Sequence, residues 1–290
     1  MKRCVACDHL FAGSGWACPV CGYTPKTEAG FPCFAPQLAH ENSDYDPRHF
    51  PLLVTLEDKS FWFQARNRLI VWALQRYFSR PERIMEVGVG TGFVMRALAR
   101  AFPGAALHGS DIHVEGLRLA AQRLNGCAEL IQMDVRRIPF RGHFDVICAC
   151  DVLEHIREDE AVLGEMFRAL RRGGGIVVTV PQHGFLWGPA DEAAFHVRRY
   201  GTAELAEKAR AAGFDVVFKT SFISLLLPAL YWSRLRSRRS GVYDLAKEHS
   251  AHPAVNALMG GLTAAEFCLI RAGVAFPAGG SQLVVAMRRV

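Results

Sequence analysis

The sequence predicts an α/β protein built on a doubly wound, mostly parallel sheet. Three observations carry this. A short apolar strand runs into three alternating glycines at Ile84-Met85-Glu86-Val87-Gly88-Val89-Gly90-Thr91-Gly92. Apolar strand-like runs then alternate with helix-length segments through Val180, and acidic residues stand at the ends of several of those runs. With 290 residues, half of them hydrophobic, the chain can bury a full core, read as one large domain plus an appendage. The 34 Lys and Arg against 28 Asp and Glu give +6, a mild excess that does not by itself call for nucleic acid.

The appendage comes first. Cys4-x2-Cys7 and Cys18-x2-Cys21 form two CxxC knuckles, and four thiolates so spaced suit the corners of a tetrahedron around Zn²⁺. Residues 1–30 are therefore assigned to a structural zinc ribbon, a segment too small for a core of its own. With four protein ligands, no open position for catalysis is expected there. The competing reading, two disulfides, conflicts with the cytoplasmic setting expected from Met1-Lys2-Arg3-Cys4, which has no apolar signal region. Cys33 reads as a packing residue.

Residues 22–48, rich in Pro, Gly and polar residues, read as a linker, so 31–60 is assigned to linker and the start of a cap. Phe61-Trp62-Phe63-Gln64-Ala65-Arg66 opens a helix running through Phe78. One reading has this helix cover a face of the sheet. The other makes Phe61, Trp62 and Arg66 a lid over a ligand, with Arg66 free to pair with a carboxylate. The glycine turn follows: glycine admits backbone conformations and close ligand approaches that a Cβ would block. Phe93 to Phe102 reads as the next helix.

Ala105 to Gly109 reads as the second strand, ending at Ser110-Asp111-Ile112. An acid there, about 20 residues past the glycines, is placed to accept from ribose hydroxyls. An N-cap role for Asp111 before the helix from Val114 is compatible with that. Leu130 to Asp134 is the third strand, with Asp134 at its tip where an adenine amino group could be accepted. Phe144 to Asp151 is the fourth, followed by Val152-Leu153-Glu154-His155. A helix to Arg171, a glycine turn at 173–175 and a fifth strand, Ile176 to Val180, complete the alternation. Ligand is expected at the carboxyl ends of the strands.

Taken together, these motifs resemble the class I S-adenosylmethionine-dependent methyltransferases over residues 61–218. The resemblance implies a Rossmann-like, seven-stranded sheet whose last strand is antiparallel, with residues 61–290 forming the methyltransferase domain. It places Glu86, Gly88, Gly90 and Gly92 at the methionyl part of S-adenosylmethionine and Asp111 with Ile112 at the ribose. Asp134 with Val135 falls at the adenine edge, and Asp145 through His155, including Asp151, matches the fourth-strand motif. A nicotinamide dehydrogenase fits less well, because Phe93 occupies the third glycine position of G-x-G-x-x-G.

Methyl transfer needs alignment, a dry site and sometimes a base. His155 and His196 are the candidate bases. His196 and Tyr200 lie in the polar run Asp191 to Tyr200, where an acceptor hydroxyl could be deprotonated; the alternative is a solvated loop with Tyr200 packed against the helix from Thr202 to Ala212. Phe214 to Thr220 reads as the sixth strand and Gln282 to Met287 as the seventh. The long stretch between them, 222–279, is read as a helical insertion. Its start, Phe222 to Trp232, is too short to span a bilayer, and Arg234, Arg236, Arg238 and Arg239 follow it. Residues 222–240 thus read either as a peripheral membrane contact or as a helical cover for a pocket or dimer, with Pro253 to Ala272 as a second helix.

The expected function is methyl transfer to a small-molecule or lipid-linked biosynthetic acceptor, with oxygen or carbon favoured. The setting would be cytoplasmic, or peripheral on the inner face of a membrane. The runner-up is an rRNA or tRNA base methyltransferase using the ribbon for RNA. Against it, Asp151-Val152-Leu153-Glu154 lacks the Asn/Asp-Pro-Pro-Tyr/Phe run, and basic residues do not concentrate at the ribbon. Nucleic acid is therefore not the expected partner. A third reading keeps the fold as a protein-binding scaffold without turnover.

Overall fold

The computed structural model describes residues 1–39, 46–240 and 252–289. Parts of the predicted linker (40–45) and of the predicted insertion (241–251), and the side chain of Arg239, lie outside the described residues. The chain opens with two short antiparallel strands, β1 (Lys2–Arg3) and β2 (Leu10–Phe11). Its knuckles dock on the main body: Arg3 N–H donates to Pro139 O at 3.0 Å, and the Arg3 guanidinium reaches Glu165 at 2.7 Å.

The linker reading needs correction here. Residues Lys26–Glu28 (β3) and Phe31–Cys33 (β4) form a hairpin, and β4 lies parallel to the edge of the main sheet, with Cys33 opposite Gln132. The Gln132 side chain secures it, its amide bonding Ala35 N at 3.0 Å and Ala35 O at 2.8 Å. Cys33 is fully buried, so packing is its role. Composition hid this hairpin because an edge strand of three residues carries no readable alternation.

Two helices follow, α1 (Phe50–Leu56) and α2 (Phe61–Tyr77). Leu69, Ile70, Ala73 and Leu74 of α2 are buried against one face of the sheet, as the covering reading expects. The alternation then runs β5 (Arg83–Val87), α3 (Phe93–Ala101), β6 (Ala106–Asp111), α4 (Val114–Leu124), β7 (Glu129–Gln132), β8 (Phe144–Cys150), α5 (Asp159–Ala169) and β9 (Leu170–Pro181). Past β9 come α6 (Pro189–Ala193), α7 (Glu204–Ala211), β10 (Phe214–Phe222), α8 (Leu227–Ser240), α9 (Pro253–Arg271) and β11 (Ser281–Arg288). The predicted glycine turn at 173–175 is instead the irregular start of β9, whose register against β8 shifts between Phe144 and Val146.

The sheet order is β10-β11-β9-β8-β5-β6-β7-β4-β3. β11 runs antiparallel to both of its neighbours, while β5 through β9 are parallel, giving the predicted seven-stranded sheet with two added edge strands. Strand side chains alternate between two apolar layers: Met85, Val87, Ile147 and Ala149 enter one, and Ile84, Val146, Cys148 and Val177 the other. Burial on both faces explains why these strands read as near-continuous apolar runs. The order reverses beside β5, which opens a crevice at the carboxyl ends of β5, β6 and β8.

Candidate functional site

A cavity of about 490 Å³ occupies that crevice, a size suited to a cofactor-scale ligand. Glu86, Gly88, Gly90, Asp111, Ile112, Asp134, Val135, Asp151, Arg66 and His155 all line it. Gly92 stands behind as the cap of α3, with φ +78°.

The floor is main chain. Gly88 has φ +68°, and a Cβ there would sit 2.3 Å from Val152 Cγ2. Such a position is steric territory for glycine alone. Gly90 (φ +50°) donates its N–H to Asp111 Oδ2 at 2.8 Å, while Asp111 Oδ1 accepts from His113 N at 2.9 Å. These bonds fix the carboxylate and leave each oxygen a second lone pair for a hydroxyl. His113, not Asp111, holds the cap position of α4. Burial raises the Asp111 carboxyl above its ordinary range, and the His113 and Gly90 N–H groups oppose the rise.

Glu86 is buried at the end of β5, and its Oε2 has no hydrogen-bond partner among the described residues. Burial pushes its carboxyl well above the usual carboxylate range. A buried acceptor left open on a cavity wall suits a cationic or N–H donor. On the far side, the Asp134 carboxylate caps the turn at Val135–Arg137, accepting from Arg136 N–H at 2.9 Å and from its guanidinium. It sits past the strand, since β7 ends at Gln132.

One wall comes from a part of the chain read as linker. Phe50 and Leu53 of α1, and Glu57 just after it, line the cavity. Glu57 accepts from Thr91 Oγ1 at 2.7 Å and from Arg123 Nη1 at 2.6 Å, tying the end of α1 to the glycine turn. In α2 the lid reading needs adjustment: Phe63 and Arg66 face the cavity, whereas Phe61 and Trp62 pack against the apolar layer beneath. The Arg66 guanidinium lies 4.8 Å from the Trp62 ring and pairs with Asp151. Asp151 has φ +57° and also accepts from Thr179 Oγ1 at 3.1 Å, so both carboxylate oxygens are engaged by protein.

The β8–β9 side gathers the histidines. His155 lines the cavity, and the His196 ring meets it edge-on with centroids 4.8 Å apart. His196 stands one layer behind the wall, its Nδ1 2.8 Å from Asp191 Oδ1 and its Nε2 4.0 Å from Glu154 Oε1. Asp191 also accepts from Arg199 Nε at 2.7 Å. Glu154 is fully buried, and neither of its oxygens has a hydrogen-bond partner among the described residues. Burial and the nearby Asp151 charge raise its carboxyl well above the ordinary range. Ligand atoms of Glu154, His155 and His196 lie within 4.8 Å of one another, a set able to share a proton or a cation.

Tyr200 is a correction. It is fully buried in the core, and its hydroxyl donates to Asp159 Oδ2 at 2.6 Å. Tyr200 N–H also donates to Pro181 O at 2.9 Å, which carries the ring under the sheet rather than into the cavity. Burial and the Asp159 carboxylate raise the phenol above its ordinary range, so it is no ready base.

The N-terminal cysteines form a separate cluster. Cys4 Sγ lies 3.5 Å from Cys21 Sγ and Cys7 Sγ 3.7 Å from Cys18 Sγ, and the four sulfurs fall within 4.8 Å of one another. A tetrahedral ion with Zn–S bonds of about 2.3 Å requires edges of about 3.8 Å. The four thiols are a donor set that suits a zinc ion.

Residues 84–174 match the methyltransferase domain family. A phosphatidylethanolamine N-methyltransferase of Cereibacter sphaeroides is 34% identical over 106 residues, covering 34% of this chain and 51% of that protein. The matched stretch spans from 5% to 52% of the full length of four such curated relatives. Among solved structures, one from a Haloferax volcanii complex containing the Trm112 methyltransferase activator superposes with TM-score 0.59 at 15% identity. It covers 86% of this chain and 98% of that one. Phosphoethanolamine N-methyltransferase 2 of Haemonchus contortus, solved with phosphomonomethylethanolamine and S-adenosylhomocysteine, gives TM-score 0.52 at 18% identity, covering 77% and 53%. At these identities the structural likeness speaks for the fold.

Proposed function

We propose that this chain, whose residues 84–174 carry a methyltransferase domain, is an S-adenosylmethionine-dependent methyltransferase acting on a small-molecule or lipid-linked acceptor. The observation that carries this reading is the junction of Glu86, Gly88, Gly90 and Asp111 on one cavity wall. The open Glu86 oxygen would receive the α-ammonium of the cofactor, and Asp111 its ribose hydroxyls. Val135 and Ile112 would bracket the adenine. When bound, the cofactor supplies an electrophilic methyl carbon on a sulfonium.

The remaining roles belong to the chain. Phe50, Leu53 and Phe63 keep water from the cavity, and the Glu57–Thr91–Arg123 contacts hold that cover against the glycine turn. His155, on the wall opposite Asp111, takes the proton of an acceptor hydroxyl or acidic carbon; His196, held by Asp191, orients it. Tyr200 has no part in the chemistry. The four-cysteine cluster holds a structural zinc, a role separate from turnover.

Support for a lipid-linked or small acceptor comes from the cavity's apolar cover and from relatives named for such substrates. The test supplies methyl-labelled cofactor together with a bacterial lipid extract, pooled small metabolites and total RNA. Label in the organic-soluble or small-molecule fraction is the expected result. Label confined to RNA would replace this reading with a base methyltransferase, and no transfer to any pool would favour the scaffold.

A further inference from the structure

Helix α9 presents an outward stripe without a polar side chain. Val255, Leu258, Leu262, Ala265 and Leu269 are exposed at intervals of three and four. Leu258 is 62% exposed. The helix has mean hydropathy 1.4 over an 18-residue window of which 17% is buried, so length and composition alone would let it cross a bilayer. Its inner face forbids that. Asn256 Oδ1 accepts from Phe61 N at 3.0 Å, Asn256 Nδ2 donates to Lys59 O at 3.0 Å, and Thr263, Glu266 and Ile270 are buried.

The one acid within the helix is turned inward. Glu266 accepts from the N–H groups of Ile223, Ser224 and Leu225 at 2.6–2.8 Å, joining α9 to the segment between β10 and α8. At the helix ends stand exposed cations, Lys59 beside Asn256 and Arg271 at the last turn. α8, which begins just past that junction, exposes Tyr231, Trp232 (66%) and Arg236. An apolar stripe with exposed cations at its ends, on a chain that also exposes amphipathic aromatics on α8, matches the chemistry of an anionic bilayer surface.

We propose that α9 lies in the plane of a membrane, its outer half immersed among acyl chains and its inner half on the domain. A second copy of the chain fits the same stripe less well. Two such stripes packed face to face would set the cations at their ends, Lys59 and Arg271, against one another, a like-charge contact that an anionic surface relieves. Because α9 packs on the first turn of α2, the immersed helix would hold the Phe63 and Arg66 wall of the cavity beside the lipid. The proposal goes beyond methyl transfer and stands without it, since bilayer binding needs no cofactor.

Sedimentation with vesicles of phosphatidylcholine and phosphatidylglycerol tests it on the full chain. The double variant Leu258→Glu/Leu262→Glu should partition at least about tenfold more weakly, with an unchanged unfolding midpoint. The single variant Leu258→Gln, milder for folding, should show a smaller loss in the same direction. Equal partitioning of wild type and variants would overturn the proposal. So would a wild-type dimer that ignores vesicles and falls apart in the double variant.

Discussion

On the β5–β6 side of the cavity the wall is mostly main chain: glycines at positive φ, the Gly90 N–H, and a carboxylate pinned by two backbone donors. On the β8–β9 side the wall is side chains brought from afar, with His155 set against His196 and His196 against Asp191. The first side is fixed by sterics that act within a few residues. The second is fixed by tertiary packing. A ligand's invariant part is well served by the first kind of wall, and an acceptor that differs between relatives by the second.

Substitutions should separate the two sides cleanly. The largest effect is expected from His155→Asn, which on our reading removes the base: turnover should fall by about 10²–10⁴-fold while S-adenosylhomocysteine affinity holds. Comparable losses in both would merge the two walls into one functional unit. Gly88→Ala should do the reverse. Left-handed backbone costs alanine about 1–2 kcal/mol, and the Val152 contact adds to it, so cofactor affinity should drop by about 10²-fold in calorimetry. Retained affinity would mean that the glycine floor is not where the ligand lies.

Tyr200→Phe should have the smallest effect and the most instructive kind. Losing the hydroxyl leaves Asp159 with Lys208 and Arg198, each at 2.7 Å, so the cost is about 1–2 kcal/mol of stability. A thermal melt should show a midpoint lower by a few degrees, with methyl transfer unchanged. A large fall in turnover without a change in melting would restore Tyr200 to the reaction.

The difference between the walls also explains what the sequence disclosed. Gly88, Gly90 and Asp111 could be placed at the cavity from the sequence because a glycine turn follows from local backbone geometry and the acid from a fixed distance along the chain, and Glu86 came with the family resemblance. The four cysteines were legible for the same reason, since each knuckle closes within four residues. Phe50, Leu53 and Glu57 were not, because nothing local marks a short helix as the cover of a turn more than thirty residues away. Glu154 escaped notice although its neighbour His155 was singled out; its meaning lies in a contact with His196 across the fold. Tyr200 follows the packing alternative and not the catalytic one: it lies in the core with Leu205 and Ala209 of α7, where a main-chain bond to Pro181 turns it inward, an orientation its polar neighbours in sequence do not signal. α9 carried a plain apolar signal, but only packing reveals which of its faces stays uncovered.

Titration calorimetry of S-adenosylhomocysteine into the wild-type chain and into Asp111→Ala tests the central claim most directly. One saturable site per wild-type chain is expected, with affinity weakened by about 10–100-fold when the ribose-facing carboxylate is removed. Equal affinity in the two proteins, or a wild-type chain that takes up a nicotinamide dinucleotide and ignores S-adenosylhomocysteine, would contradict it.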